Sequence, residues 1–143
     1  MLWKYRKVTA RIWSNDHCPP HVTFVCMSDG WSARVEFSMV CSQVSLMDIK
    51  PIRNAPSIAL VNELMEQLLA RLSFCRQEWW AIQQTICLDN KVVTRVVPGE
   101  VRLGRSSGCI GGIIPKTGKF QENKVTAQVR WVDGCTTTDT VSE

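Results

Sequence analysis

VTFVCMSDGWSARVEF, residues 22–37, is the stretch whose reading decides the fold class. Val22–Met27 is apolar and rich in β-branched and aromatic side chains, as a strand requires. Ser28-Asp29-Gly30 supplies the small, turn-forming residues of a tight hairpin. Trp31–Phe37 then alternates, with Trp31, Ala33, Val35 and Phe37 on one face and Ser32, Arg34 and Glu36 on the other. The stretch therefore predicts an antiparallel pair with one face buried.

The pattern extends in both directions. Upstream, Lys7–Trp13 alternates with β-branched residues and reads as a strand, joined to Val22 through an Asn15–Pro20 turn that two prolines keep out of helical geometry. These strands predict a meander of about three, with a fourth near Met39–Leu46. Downstream, Ile58, Val61, Leu64, Met65, Leu68, Leu69, Leu72 and Cys75 recur at three- and four-residue spacing. Asn62, Glu63, Glu66, Gln67 and Arg71 lie on the opposite side. This predicts one long amphipathic helix, with Asn54 as N-cap and Pro56 in the first turn, running through Trp79-Trp80 to Thr85. Its apolar stripe would cover the meander.

After Leu88–Lys91 the texture changes: of eight glycines, all but Gly30 lie from Gly99 onward. Lys91–Val97, Val101–Leu103, Cys109–Ile114, Val125–Val132 and Thr136–Val141 are short predicted strands separated by glycine-containing turns. Asp133-Gly134 is a hairpin signal. Such spacing predicts a small, strongly bent sheet or barrel. The fold expected is thus α+β: a meander-plus-helix module over residues 1–90 and a small barrel over 91–143.

Composition places the chain among folded globular proteins, since 45% hydrophobic and 21% charged residues suffice for a core. No apolar run approaches the ~18–20 residues of a membrane-spanning helix, so no membrane association is expected. No secretory signal follows the basic start. Seven cysteines, an odd and irregularly spaced set, argue for free thiols at Cys26, Cys41, Cys75, Cys87 and Cys109 and a reducing cytoplasm. The net charge of +4 permits contact with nucleic acid without demanding it.

Chemistry-bearing residues gather in SNDHCPPHVTF, residues 14–24. His17, Cys18 and His21 are zinc-binding types, and Cys26 or Cys41 would complete a set, but no second short-spaced ligand pair exists. Cys18 beside either histidine would make a thiolate–imidazole pair. His17 and His21, aided by Arg11 or Arg34, are the only pair capable of histidine acid–base cleavage of RNA. The plainer reading is that His21 and Asp16 satisfy the turn. In the second half, Arg102, Arg105, Lys116, Lys119, Lys124 and Arg130 are candidate phosphate contacts, with Phe120 and Trp131 as candidate stacking surfaces. Trp131 as core is the alternative. Pro115–Phe120 is no P-loop, because Ile113 and Phe120 replace the required glycine and hydroxyl residue.

Two resemblances follow from these motifs. The run Ile12–Phe37, with Asn15, Asp16, Pro19, Pro20, His21 and Val22 in register, resembles a small prokaryotic family of unknown function. Its signature is N-(D/E)-x-x-P-P-H-V-H-V, often near toxin–antitoxin-like gene pairs. Thr23 replaces the family's second histidine. The tail resembles an SH3-like small barrel of ribosomal, transcription and chromatin-reader modules, through Pro98–Arg102, Gly108–Ile113 and Arg130–Gly134. Its last strand is missing from that pattern, leaving either closure by another strand or an open edge for pairing.

The expectation is a non-enzymatic binding protein, without a cofactor, whose barrel recognises nucleic acid or a protein partner. The alternative is a homo-oligomer formed through an open barrel edge. The third reading is a small histidine-dependent nuclease-like enzyme.

Overall fold

A computed structural model describes all residues from Met1 to Glu143, which divide into two compact units. The first comprises Met1–Ser38 and Ser42–Gln83, and the second Met39–Cys41 and Gln84–Glu143.

The first unit carries five strands: β1 (Trp3–Tyr5), β2 (Val8–Arg11), β3 (His21–Cys26), β4 (Trp31–Phe37) and β5 (Val44–Lys50). They pair in chain order, all antiparallel, as a meander. The Val22–Phe37 hairpin has the expected alternation: Trp31, Ala33, Val35 and Phe37 are buried and the residues between them only partly so. The fourth strand, expected near Met39–Leu46, is β5 and begins later, at Val44, while β1 lies beyond the expected set. β1 is too short to show periodicity, and β5 contains a register shift opposite Arg34 and Val35 that breaks its alternation.

The single long helix is in fact two, α1 (Ile58–Ala70) and α2 (Leu72–Gln83). Arg71 lies between them with non-helical torsions. Its backbone N–H reaches the carbonyls of Leu68 and Leu69, and its guanidinium donates to the Gln67 carbonyl at 3.2 Å and to Gln67 Oε1 at 2.7 Å. Carbonyls freed by the break are thereby satisfied locally. The buried stripe Val61, Leu64, Leu68, Leu72, Cys75 and Trp79 keeps its spacing across the joint, which is why periodicity alone does not reveal it. The cap also differs: Ser57 accepts from Leu60 N at 3.1 Å, while Asn54 ends a short 3-10 turn and donates to the Gly30 carbonyl.

The helices cover the sheet face bearing Ala10, Phe24 and Phe37. Trp3 packs edge-on against Phe24 with centroids 5.9 Å apart, Arg71 stacks over Trp3 at 5.1 Å, and Trp79 packs edge-on against Phe37 at 6.2 Å. Tyr5 donates to Glu63 of α1 at 2.9 Å. The opposite face is polar, and register places Arg11, Thr23, Arg34 and Asp48 in one row across β2 to β5.

The second unit is a closed barrel of five strands with a sixth attached. The ring runs β6 (Val92–Val97), β7 (Glu100–Leu103), β11 (Thr136–Ser142), β10 (Lys124–Trp131), β8 (Ile110–Ile113) and back to β6. β9 (Lys119–Gln121), absent from the sequence expectation, forms a hairpin with the first half of β10. One side of β10 is thus divided between β9 and β8, and β11 runs along the other. The parallel pair β7–β11 closes the ring, so of the two alternatives, closure or an open edge on the last strand, the structure has closure. Val93, Val101, Ile113, Val125, Ala127, Val129, Trp131 and Val141 are buried along these strands. Gly111 is enforced by this packing: a Cβ there would stand 2.7 Å from Val129 Cγ1, 2.8 Å from the Arg130 carbonyl and 3.0 Å from the Trp131 ring.

No helix is long and apolar enough to cross a membrane.

Candidate functional site

Two places collect the residues singled out by sequence: the corner before β3, and the outer surface of the barrel.

At the corner, Asp16 closes the Ser14–Pro20 turn. Its Oδ2 accepts from Trp13 N at 2.8 Å, and its own N–H donates to the Trp13 carbonyl at 3.0 Å. His21, the first residue of β3, is 1% exposed. Its Nδ1 lies 2.9 Å from the Pro19 carbonyl, which can only accept, so Nδ1 carries a proton. Nε2 lies 3.3 Å from Asp16 Oδ1, inside ion-pair range but outside hydrogen-bond geometry. Both nitrogens therefore face protein oxygens, and neither faces solvent. His17 is exposed, with Nδ1 3.3 Å from the Cys18 carbonyl. His21 is thus buried with both ring nitrogens turned to protein oxygens, so it has no free nitrogen to share with His17 in acid–base cleavage of RNA.

Cys18 is disulfide-bonded, which removes it as a thiolate or metal ligand, and Cys87, expected as a free thiol, is disulfide-bonded as well. No group of three His, Cys, Asp or Glu side chains is gathered to hold a metal ion. Of the free thiols, Cys26 and Cys75 are buried, and burial pushes the Cys75 thiol up to about 12. Cys109 and Cys135 are exposed. The Cys135 thiol is raised as well, through its hydrogen bond to Asp133.

Arg34, the other residue offered to assist the histidines, is engaged elsewhere. Its Nε reaches both oxygens of Asp48 at 3.0 and 3.1 Å, and Nη2 bonds Oδ2. This fork holds the Asp48 carboxyl below its ordinary value. Arg11 lies in the same row but on β2, two strands away from Arg34.

The eight barrel residues do not form one surface. Phe120 and Trp131 are 5% and 6% exposed, so neither ring offers a stacking face. Trp131 is held from both sides: Arg95 stacks on it at 4.2 Å, and its Nε1 donates to Thr137 Oγ1 at 2.8 Å, which donates to the buried Asp139. Arg102 pairs in register with Ser142, and continuing the β10–β11 register brings Lys124 beside Ser142. Lys119 lies opposite Thr126. These three cations thus share one end of the barrel by register, where Glu100 pairs with Thr140 next to them and Glu122 and Glu143 adjoin Gln121 and Ser142 in the chain. Arg130 lies six residues from Lys124 on β10, roughly 20 Å along the strand. Arg105 projects from the exposed Gly104–Gly108 loop, and Lys116 from the turn before β9, where its N–H donates to Asp89 Oδ1 at 3.1 Å.

Sequence reasoning did not find a cleft of about 380 Å³ on the barrel surface over β8 and the end of β10. It is bordered by Ile110, Gly112, Ile114, Pro115, Arg130 and Val132. Val132 is 85% exposed and Arg130 is exposed, whereas Ile110 and Ile114 are half-buried. The signal lies in the Ile-Gly-Gly-Ile-Ile-Pro run, residues 110–115, whose pattern reads only as barrel strand and turn.

With the geometry in hand, comparison with known proteins returned no matching family model, no matching curated protein and no matching solved structure.

Proposed function

We propose that the protein is a non-enzymatic binding protein whose recognition element is the small barrel, read as SH3-like, and that its partner is a protein rather than a nucleic acid. One observation carries this reading: the apolar cleft over β8 and β10, with exposed Val132 at its rim. A cleft lined mainly by aliphatic side chains, with one cation and Asn90, suits a polypeptide. Nucleic acid is disfavoured because both barrel aromatics expected to stack are buried, and the clustered cations Arg102, Lys119 and Lys124 have acidic neighbours. The enzyme reading is weakened because His21 is buried with both ring nitrogens facing protein oxygens. Self-association through the barrel loses the open edge on which it rested, leaving short β9 as the strand outside the ring.

The resemblance of Asn15–Val22 to the N-(D/E)-x-x-P-P-H-V-H-V family supports a shared corner before β3 and no activity. The cytoplasmic placement expected from cysteine usage stands against disulfide-bonded Cys18 and Cys87, since such bonds persist in oxidising compartments.

Titration of the isotope-labelled chain with random-sequence peptides and, separately, mixed single-stranded oligonucleotides tests the proposal by NMR. Peptide-induced shifts at Ile110–Pro115 and Arg130–Val132 are expected. Shifts confined to the His21 corner, or no shift with either probe, would overturn it. Oligonucleotide binding that weakens steeply between ~50 and ~200 mM salt would restore the nucleic-acid reading.

A further inference from the structure

Gly111 and Gly112 are adjacent on β8, yet only one is explained by the fold. A Cβ on Gly111 would collide with Val129, the Arg130 carbonyl and Trp131. A Cβ on Gly112 would meet no atom within 4 Å, and its backbone is not in the positive-φ region. Neither sterics nor backbone conformation therefore calls for glycine there. In a strand, glycine also lowers stability, because it packs nothing and loses more chain entropy than other residues. What the missing side chain provides is depth. Gly112 lies in the border of the cleft, paired with Arg130 on one side and Val92 on the other.

The charge at this place points to the occupant. Arg130 stands exposed at the cleft with no ion-pair or hydrogen-bond partner from its side chain. The nearby Asp133 is turned to its own loop, accepting from Cys135 N at 2.8 Å, which is the leading cause of its lowered carboxyl value. Ile110, Ile114, Pro115 and Val132 make the rest of the border mainly apolar, with Asn90 as one further polar side chain. An unpaired guanidinium beside an aliphatic recess is complementary to a carboxylate next to an aliphatic side chain. No exposed ring is available for a nucleobase, as Phe120 and Trp131 are both buried.

We infer that the cleft is a binding site for an acidic peptide segment, which seats an aliphatic side chain over Gly112 and sets an Asp or Glu against Arg130. This inference rests on the proposed role of the barrel and deepens it by naming the partner's chemistry. Gly112 and Arg130 then divide the recognition: the first admits the side chain, and the second selects the charge.

The test uses the full chain with three probes, a peptide alternating Val with Asp, one alternating Val with Lys and a single-stranded oligonucleotide, followed by fluorescence anisotropy and NMR. The Val/Asp peptide is expected to bind with shifts at Ile110, Ile114 and Val132. Gly112→Val should fill the recess and weaken binding at least about tenfold, while melting no lower than the parent, since valine favours strands. Arg130→Gln should weaken binding by about fivefold and remove the preference over Val/Lys. Equal binding of the two peptides by the parent, or undiminished binding by a folded Gly112→Val variant, would overturn the acidic-peptide assignment. Binding of the Val/Lys peptide or a single-stranded oligonucleotide alone at the barrel would overturn this assignment while leaving the barrel as the recognition element. Absence of binding by all three probes would overturn both.

Discussion

The imidazole of His21 lies against the indole of Trp79, ring centroids 5.7 Å apart and planes tilted by 55°. Trp79 is wholly buried on α2 and also touches Phe37, so the histidine joins the polar corner to the apolar stripe of the helices. That location makes the residue structural. His21→Ala should destabilise the chain by about 3 kcal/mol, combining a cavity beside Trp79 with loss of the bond to Pro19. Asp16→Asn should cost about 1 kcal/mol. Urea unfolding followed by tryptophan fluorescence measures both, and a His21→Ala variant as stable as the parent would contradict the assignment.

The Arg34–Asp48 fork predicts a pH response. Its sign follows from the lowered Asp48 carboxyl: the folded state holds the carboxylate more strongly than the unfolded chain. The stabilisation is present above the ordinary value of 3.8 and is lost as pH falls through the depressed folded value. Both side chains are about one-third exposed, so the contribution is about 1 kcal/mol. Asp48→Asn should lower the melting temperature at neutral pH and leave a smaller difference from the parent in acid.

The two adjacent glycines give opposite expectations. Gly111→Ala should lose about 3 kcal/mol, because its methyl meets backbone and two core side chains that cannot move apart cheaply. Gly112→Ala should be neutral or stabilising by about 0.5 kcal/mol. Thermal melts of the pair check the contrast, which would fail if both alanines were tolerated.

Alkylation reports on the cysteines. Without reductant in the native state, Cys109 and Cys135 should react first, as the exposed free thiols. Cys75 should stay unmodified near neutral pH, since its thiol lies at about 12 and is buried. Cys18 and Cys87 should react only after reduction of the unfolded chain. Peptide mapping by mass spectrometry resolves each site, and modification of Cys18 without reductant would contradict the disulfide.

The parts legible in the sequence were those with a strong period. The Trp31–Phe37 alternation and the Val61–Trp79 stripe both describe what is buried. The joint at Arg71 was not legible, because a break that preserves the stripe leaves no mark on spacing, and a non-proline, non-glycine residue carries it. β1 and β9 are three-residue strands, too short to have a period. Among candidate site residues, composition could collect cations but not place them. Arg102 and Lys124 are neighbours only through the register of β11, whereas Lys124 and Arg130, close in sequence, stand far apart along β10. The cleft was invisible because it is made by an absent side chain.

The parallel pairing of β7 with β11 has a consequence for how the barrel is made. Ser142 Oγ bonds the Val101 carbonyl across 41 residues, and Thr140 N reaches the Gly99 carbonyl. The ring therefore completes only once β11 has been made, and until then the outer sides of both β7 and β10 are unpaired. Closure is a long-range step with a large loop entropy, which places it late in folding. During synthesis the barrel thus exists first as an open sheet with two adhesive borders, and the last seven-residue strand converts it to a ring.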